Sequence, residues 1–228
     1  MFIGHFGVGF GAKAAAPKVS LGSLFLAAQF IDLLWPTLLL FGLERVRIIT
    51  DPVRGPPLDF VYYPISHSLL AVCVWAVLFA VVYYLLRRSL VGAWVLGLLV
   101  VSHWLLDLIV HHPDLPLYPG SAYRVGFDLW SLPGMALILE LTIFALGTGL
   151  YLRATEARDA TGKWALWALL AFLVLIQFSN YFGPPSPGIT ALAWVGQAQW
   201  LLVAWGYWVD RHRRPVSAVK AFAEASNS

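Results

Sequence analysis

Six long runs of apolar residues, separated by short polar segments, dominate this chain. Each run reaches the roughly 20 residues that a helix needs to cross the hydrocarbon core of a bilayer. The pattern therefore predicts an all-α, polytopic membrane protein with six transmembrane helices. We expect them at residues 19–43, 64–86, 89–110, 132–152, 163–182 and 189–209.

A shorter apolar segment precedes the first run. Residues 2–16 are too few to cross a bilayer but are apolar enough to enter it, and Pro17 followed by Lys18 predicts a turn. We therefore predict a short N-terminal re-entrant helix that forms a hairpin with the first span. At 1.5 Å of rise per residue, this hairpin brings His5 and Asp32 to a similar depth.

The chain is expected to form one unit. Residues 1–214 contain no internal repeat and no long linker, and they predict a single helical membrane domain. Residues 215–228 are small and polar, and they predict a disordered cytoplasmic tail. The first residues lack the basic start and cleavage site of a signal peptide, so we expect the mature chain to begin at Met1.

Composition supports the membrane class. The chain has 228 residues, of which 60% are hydrophobic and 12% are charged, against about 25% charged in soluble domains. Its 11 Trp and 9 Tyr residues suit aromatic belts at the two membrane interfaces. The net charge of +3 comes from basic residues that flank the apolar runs, so we predict the lipid bilayer as partner and no nucleic acid.

The distribution of basic residues predicts the orientation. Eleven Lys and Arg residues fall on the side that holds both termini, and four fall on the other side. Basic residues are enriched in cytoplasmic loops. We therefore predict a multi-pass protein of the cell inner (plasma) membrane with both termini in the cytoplasm.

Ionisable residues inside the apolar runs predict a functional site, because such residues are costly in a membrane. His103 and Asp107 are four residues apart and share one helix face. Depth along the helices adds His5, Asp32 and His67, and the five groups predict a divalent metal site, with zinc first and iron or manganese as alternatives. Asp107 is interpreted either as a ligand, as the catalytic base, or as the residue that orients a ligand histidine.

Other polar residues are assigned to the surroundings of this site. Arg54 and Arg124 are candidates for binding an anionic substrate group, since guanidinium groups bind phosphate, although arginines at such positions are mostly solvated interface anchors. The remaining candidates line a pocket that opens outward: His111, His112, Asp114 and Glu140. A structural alternative is that these and the five intramembrane groups only form hydrogen bonds between helices.

Short motifs in the first half of the chain resemble a known family. They are Gly4-His5, the acidic residue and proline at Asp32 and Pro36, the SHSLL at 66–70, and the SHWLLD at 102–107 followed by the proline-rich PDLPLYP. Over residues 4–120 the order of these motifs resembles the YdjM-like family of membrane-bound, metal-dependent hydrolases. A distant similarity of that family to zinc-dependent phospholipase C implies phosphoester hydrolysis, by analogy.

This chain departs from the family pattern in two places. The family has a second acidic residue and a histidine where Leu34 and Trp35 stand here, and a His-Arg-Gly stretch where Tyr62, Tyr63 and Pro64 stand. The ligands that remain favour one metal over a site of two or three.

The leading hypothesis is a metal-dependent hydrolase that acts on a lipid-soluble or membrane-proximal ester, with a phosphoester as one possibility. Two other functions stay open. The first is a non-catalytic membrane scaffold or partner-binding protein. The second is a transporter coupled to protons or cations through Asp32, Asp107 and Glu140, which the lack of an inverted repeat disfavours.

Overall fold

The computed structural model describes residues 1–49 and 55–216. Most of these residues are helical, as the apolar runs predict. The helices are α1 (Ile3–Ala15), α2 (Leu21–Ala28), α3 (Phe30–Leu40), α4 (Pro64–His67), α5 (Leu69–Arg87), α6 (Leu90–Val110), α7 (Pro133–Ala154), α8 (Ala160–Phe182), α9 (Ile189–Gln197) and α10 (Gln199–Arg211).

Four helices, α5 to α8, are long and apolar enough to cross a membrane, and α2 with α3 adds a fifth crossing if that bent pair is one span. The predicted count of six is therefore not confirmed within the described residues. The last predicted span is divided at Ala198 into α9 and α10, and the first is bent by 57° at Gln29.

Polar side chains fix where three of the long helices begin. Ser68 accepts a hydrogen bond from the backbone N–H of Ala71 at the start of α5. Ser89 does the same for α6 and Asp159 for α8. These side chains satisfy backbone donors that have no partner within the helix.

Helix α1 lies against α7 through glycine residues. A Cβ atom on Gly7 would lie 2.7 Å from the Cα of Phe144, and a Cβ atom on Gly147 would collide with the carbonyl of Gly7. Small residues allow helices to approach closely in membranes. The contact buries His5 and its neighbours in the centre of the bundle.

Within the described residues, three short antiparallel strand pairs accompany the predicted helices. They connect helix ends and contain two to five residues per strand, too few to show a pattern in the sequence. The pairs are β1 (Arg45–Ile48) with β2 (Leu58–Tyr62), β3 (Leu115–Pro116) with β4 (Arg124–Val125), and β5 (Thr155–Ala157) with β6 (Arg213–Pro215).

Two sequence predictions fall partly or wholly outside the described residues. Arg54, a candidate for substrate binding, is one of the residues not described. Of the predicted tail, Pro215 lies in β6 and pairs with Thr155, while residues 217–228 lie outside the described part.

Candidate metal centre

The structure brings the five intramembrane candidates together in two overlapping groups. The ligand atoms of His5, His103 and Asp107 lie within 4.8 Å of one another. So do those of Asp32, His67 and His103. His103 belongs to both groups and is completely buried, so we call the five residues together the histidine–aspartate centre.

Helix α6 supplies two members of the centre from one face. His103 Nε2 lies 3.2 Å from Oδ2 of Asp107, four residues later. His67 Nε2 lies 3.9 Å from the same oxygen. The i, i+4 spacing in the sequence thus corresponds to a contact between His103 and Asp107. Asp107 also lies close to His67, which is on another helix.

The break between α2 and α3 positions two further groups. Ala28 is the last residue of α2, where a carbonyl loses its partner within the helix. That carbonyl accepts a hydrogen bond from His103 Nδ1 at 2.8 Å. Because a carbonyl can only accept, Nδ1 of His103 carries a proton, and the lone pair of the neutral ring is on Nε2.

Asp32 lies in the first turn of α3, where the helix dipole favours a carboxylate. Pro36 lies inside the same helix and cannot donate a hydrogen bond to the carbonyl of Asp32. The Oδ1 atom of Asp32 lies 3.6 Å from Nε2 of His103 and 3.7 Å from Nε2 of His67. The bent pair of helices therefore holds one carboxylate beside both imidazoles.

A buried relay orients His67. The hydroxyl of Ser66 donates to Oε2 of Glu44 at 2.6 Å, because a carboxylate accepts only. The same hydroxyl oxygen lies 2.7 Å from Nδ1 of His67 and must accept its proton. The lone pair of His67 is consequently on Nε2, the nitrogen that faces Asp32 and Asp107.

Glu44 also fixes the backbone around His67. Its Oε1 atom accepts the backbone N–H groups of Ile65 and Ser66 at 2.7 and 2.8 Å. The carbonyl of His67 accepts a hydrogen bond from Trp104 Nε1 at 2.9 Å. Because Trp104 follows His103 on α6, this bond holds the backbone of His67 close to the helix that carries His103.

His5 interacts with the other oxygen of Asp107. Its Nε2 atom lies 3.2 Å from Oδ1, and the Met1 amino group lies 2.6 Å from the same atom. The rings of His5 and His103 are stacked 3.7 Å apart at an interplanar angle of 7°. Two nearly parallel, stacked rings are poorly placed to direct one nitrogen each at a common metal ion, so His5 is placed better to hydrogen-bond Asp107 than to share a metal ion with His103.

The backbone N–H groups at the start of α1 donate hydrogen bonds to side chains from two other helices. Glu140 accepts the N–H of Phe2 at 2.7 Å, and Gln177 accepts the N–H of Ile3 at 3.4 Å. Glu140 also accepts from the hydroxyl of Tyr181 at 3.2 Å. Glu140 therefore caps a buried helix end and lies outside both candidate metal groups, although the sequence assigns it to the pocket.

Imidazole nitrogens and carboxylate oxygens are donors of the kind that zinc binds. Ligand atoms about 2.0–2.1 Å from a tetrahedral zinc are about 3.3 Å from one another. The four measured distances between the Nε2 atoms of His67 and His103 and the nearest oxygens of Asp32 and Asp107 are 3.2–3.9 Å. Nε2 of His103 is also buried and has no hydrogen-bond partner among the residues that the structure describes, which a metal would resolve.

Solvent reaches the histidine–aspartate centre at only one of its described side chains. The side chain of Asp32 is 22% exposed, whereas those of His67, His103 and Asp107 are 3% exposed or less. Two cavities elsewhere in the described part of the chain are lined by other residues. The predicted outward-opening pocket thus corresponds to a nearly closed centre with Asp32 at its edge.

His111 forms a second buried group beside the centre. Its Nδ1 donates to Oδ1 of Asp114 at 2.9 Å, and the hydroxyl of Tyr63 donates to the same oxygen at 2.8 Å. Burial lowers the pKa of His111 below its ordinary value, and burial followed by the Asp114 carboxylate raises the pKa of Tyr63. Both side chains are therefore neutral near pH 7, and the ring of His111 lies 6.3 Å from that of His67.

The other predicted pocket residues are further out. His112 is half-buried and pairs through Nδ1 with Asp128, which also accepts from Ser131 at 2.8 Å. Arg124 is exposed and donates to the backbone carbonyl of Asp114 at 3.1 Å. In this structure Arg124 supports the loop that carries Asp114.

Sequence reasoning missed the groups that orient the imidazoles. Glu44 is 1% exposed although it follows the end of a predicted span, a position where an acidic residue normally meets water. The only available signal was Ser66 next to His67. The Ala28 carbonyl could not have been found, because no proline or glycine marks the break at Gln29.

Comparison with known proteins gives one match. The family described as YdjM inner membrane protein matches residues 58–183. This range includes His67, His103 and Asp107, excludes His5 and Asp32, and extends into α8, beyond the end of the motif resemblance. No curated protein and no solved structure matches the chain.

Proposed function

This chain belongs to the YdjM inner membrane protein family, and from that premise and its buried centre we propose that it is a membrane-bound, metal-dependent hydrolase. Its proposed substrate is a lipid-soluble or membrane-proximal ester. A phosphoester is included because the motifs resemble those of a family distantly similar to zinc-dependent phospholipase C.

One observation carries the proposal. The Nδ1 atoms of His67 and His103 are both committed to hydrogen bonds, to Ser66 and to the Ala28 carbonyl. In the neutral imidazoles, both Nε2 lone pairs consequently face the carboxylates of Asp32 and Asp107. A histidine that only joins helices does not need a fixed acceptor on one ring nitrogen. A metal-binding histidine almost always donates the N–H of its other ring nitrogen to such an acceptor.

The four residues His67, His103, Asp32 and Asp107 are the proposed ligands. A divalent metal held there would act as a Lewis acid toward an ester and would activate water for attack. The alternative role for Asp107, in place of a ligand, is that of the proton acceptor, and His5, 3.2 Å from its Oδ1, is the neighbour that would share the proton. His5 thus orients Asp107, although a direct role of His5 as a ligand is the simpler prediction from sequence.

The location of the centre supports an apolar substrate. Asp107 lies three residues before the end of α6, a helix able to cross a membrane. Asp32 is the one proposed ligand with appreciable exposure. A lipid ester could reach Asp32 from the bilayer interface, whereas a large polar substrate would require the bundle to open.

Within the same proposal, the chain crosses the membrane six times and both termini are cytoplasmic. Lys13 near the end of α1 bonds Asp210 on α10 at 2.6 Å, and β5 after α7 pairs with β6 after α10. These contacts gather the ends of α1, α7 and α10 at one face. Helices α9 and α10 together then form the sixth crossing, in the direction opposite to that of α8.

Hydrolysis can be tested with the purified protein in detergent. A fluorogenic octanoyl ester and a phosphodiester of similar chain length are assayed before chelation, after chelation and after addition of zinc. We expect activity toward at least one substrate, its loss on chelation and its return with zinc. Asp32→Asn should reduce it to background, while Asp59→Asn, at a surface carboxylate paired with Arg47, should not change it.

Protein that binds zinc and hydrolyses neither substrate would contradict the hydrolase proposal and favour a scaffold. Activity that survives Asp32→Asn unchanged would contradict the assignment of the centre.

A further inference from the structure

A second candidate binding site lies at the opposite end of α1 from the histidine–aspartate centre. It is a cavity of about 320 Å³, which we call the basic pocket. Five of its lining residues are basic and one is acidic, so the lining carries a net charge of +4. It is lined by Lys13, Pro17, Lys18, Thr155, Arg158, Asp210, Arg213, Arg214 and Pro215.

One of the two buried cations of the pocket is compensated by a carboxylate. Lys13 is 2% exposed and donates to Oδ1 of Asp210 at 2.6 Å and to the carbonyl of Val19 at 2.8 Å. Its charge is neutralised within the bundle, and its third N–H remains for another acceptor.

The other buried cation, Arg213, has no such compensation. It is 7% exposed and donates only to neutral oxygens: Thr155 Oγ1 at 3.1 Å, the Thr155 carbonyl at 2.9 Å and the Gly162 carbonyl at 3.2 Å. Arg213 forms no ion pair within residues 1–49 and 55–216. A buried charge without a counter-charge is unfavourable, and an anion in the adjoining cavity would remove that cost.

The rim of the pocket adds further positive charge. Lys18 and Arg158 are exposed and make no ion pair with any carboxylate that the structure describes. Arg214 is paired with Glu156 at 3.0 Å. The unpaired rim cations and Arg213 together form a set of donors around one cavity, which suits a phosphate group with several acceptor oxygens.

The pocket lies where the ends of membrane helices meet. Thr155 follows α7, Arg158 precedes α8, Asp210 is on α10 and Pro17 follows α1. Phosphate groups of lipids lie at this level of a bilayer, and basic pockets between helices bind anionic head groups. We propose that the basic pocket binds a phosphate-bearing anion, supplied by the head group of an anionic phospholipid.

The basic pocket and the histidine–aspartate centre are separate sites. Lys13 is eight residues after His5 on α1, a rise of about 12 Å along the helix. The proposed lipid is therefore bound independently of the proposed hydrolysis, and the test below needs no enzymatic activity.

The test uses the full chain in nanodiscs or detergent and native mass spectrometry. Phosphatidylglycerol, phosphatidylcholine and inorganic phosphate are the three probes. We expect retention of phosphatidylglycerol in preference to phosphatidylcholine, and binding about ten- to thirtyfold weaker in the double variant Lys18→Gln/Arg158→Gln. Arg213 is left intact because its hydrogen bonds also hold β5 and α8.

The matched control is Arg87→Gln/Arg153→Gln, which removes two exposed basic residues outside the pocket. This control should bind phosphatidylglycerol as the unmodified chain does. The unmodified chain could instead retain inorganic phosphate and no lipid, with the phosphate lost in Lys18→Gln/Arg158→Gln. That result would uphold the phosphate site and show that its ligand is a soluble phosphate. Equal lipid and phosphate binding by both double variants and the unmodified chain would overturn the proposal.

Discussion

The orientation of single side chains decides what the centre can bind. His67 and His103 would be ordinary buried histidines if either ring were turned to place its proton on Nε2. Ser66 and the Ala28 carbonyl prevent this, since each accepts the Nδ1 proton. The chemistry of the centre thus depends on two acceptors that are not themselves ligands.

Removing the relay to His67 should weaken metal binding without removing a ligand. In Ser66→Ala the Nδ1 of His67 loses its acceptor, and Glu44 loses one of three hydrogen bonds. Loss of such a partner typically weakens metal affinity 10- to 100-fold. We expect a decrease of that size in competition with a zinc chelator, with recovery in Ser66→Thr.

The matched control for this change is Ser102→Ala. Ser102 precedes His103 as Ser66 precedes His67, but its hydroxyl donates only to the Leu99 carbonyl of its own helix. Zinc affinity should be unchanged in this variant. An equal loss in both variants would show that the effect is one of general stability and not of histidine orientation.

The sequence predicted the residues of the histidine–aspartate centre better than the residues that orient them, for a physical reason. Ionisable groups in apolar runs are conspicuous because burial makes them costly. Glu44 is outside any run, and its burial depends on a chain fold that brings it to the backbone N–H groups of residues 65 and 66. Contacts between residues so distant in the chain leave no local pattern.

Helix α1 determines whether His5 can reach Asp107. It lies on α7 with Gly7 and Gly147 facing each other. Any side chain at these positions forces the helices apart, which would withdraw His5 from the centre. The glycines are therefore a packing requirement of the site itself.

Gly7→Ala should destabilise the protein and loosen the contact of His5. Its Cβ would lie 2.7–2.8 Å from backbone atoms of Ile143 and Phe144, and backbone cannot move as a flexible side chain can. Overpacking of this kind costs about 1–3 kcal/mol. We expect a lower midpoint of thermal unfolding in detergent.

A second glycine on α7 provides the comparison. Gly149 has no atom within 4 Å of an added Cβ, so Gly149→Ala should leave the midpoint unchanged or raise it slightly. A midpoint for Gly7→Ala that equals that of Gly149→Ala would contradict the close packing of α1 on α7.

At the scale of the whole molecule, the depth of each polar residue was predictable and the helix breaks were not. Counting residues from the span ends brought His5, Asp32 and His67 to the level of His103, and the structure brings these residues together. The division at Gln29 has no proline or glycine beside it, and the division at Ala198 has only Gly196, two residues earlier. They arise from packing, so the number of crossings did not follow from hydropathy alone.

The proposed six crossings predict which loops share a face. With Cys73, the single cysteine, replaced by serine, cysteines are introduced one at a time at Arg88, Arg158 and Tyr123. The first two should be labelled by an impermeant reagent only from the cytoplasmic side, and the third only from the opposite side. Labelling of positions 88 and 123 from one side would contradict this topology.

The central claim is that His67, His103, Asp32 and Asp107 hold one metal ion. Its most direct test is the metal content of purified, desalted protein after incubation with zinc. We expect about one zinc per chain, retained in His212→Ala, whose histidine pairs with Asp159 outside the centre, and lost in His103→Ala. A correctly folded protein without stoichiometric metal, or with equal metal in both variants, would contradict it.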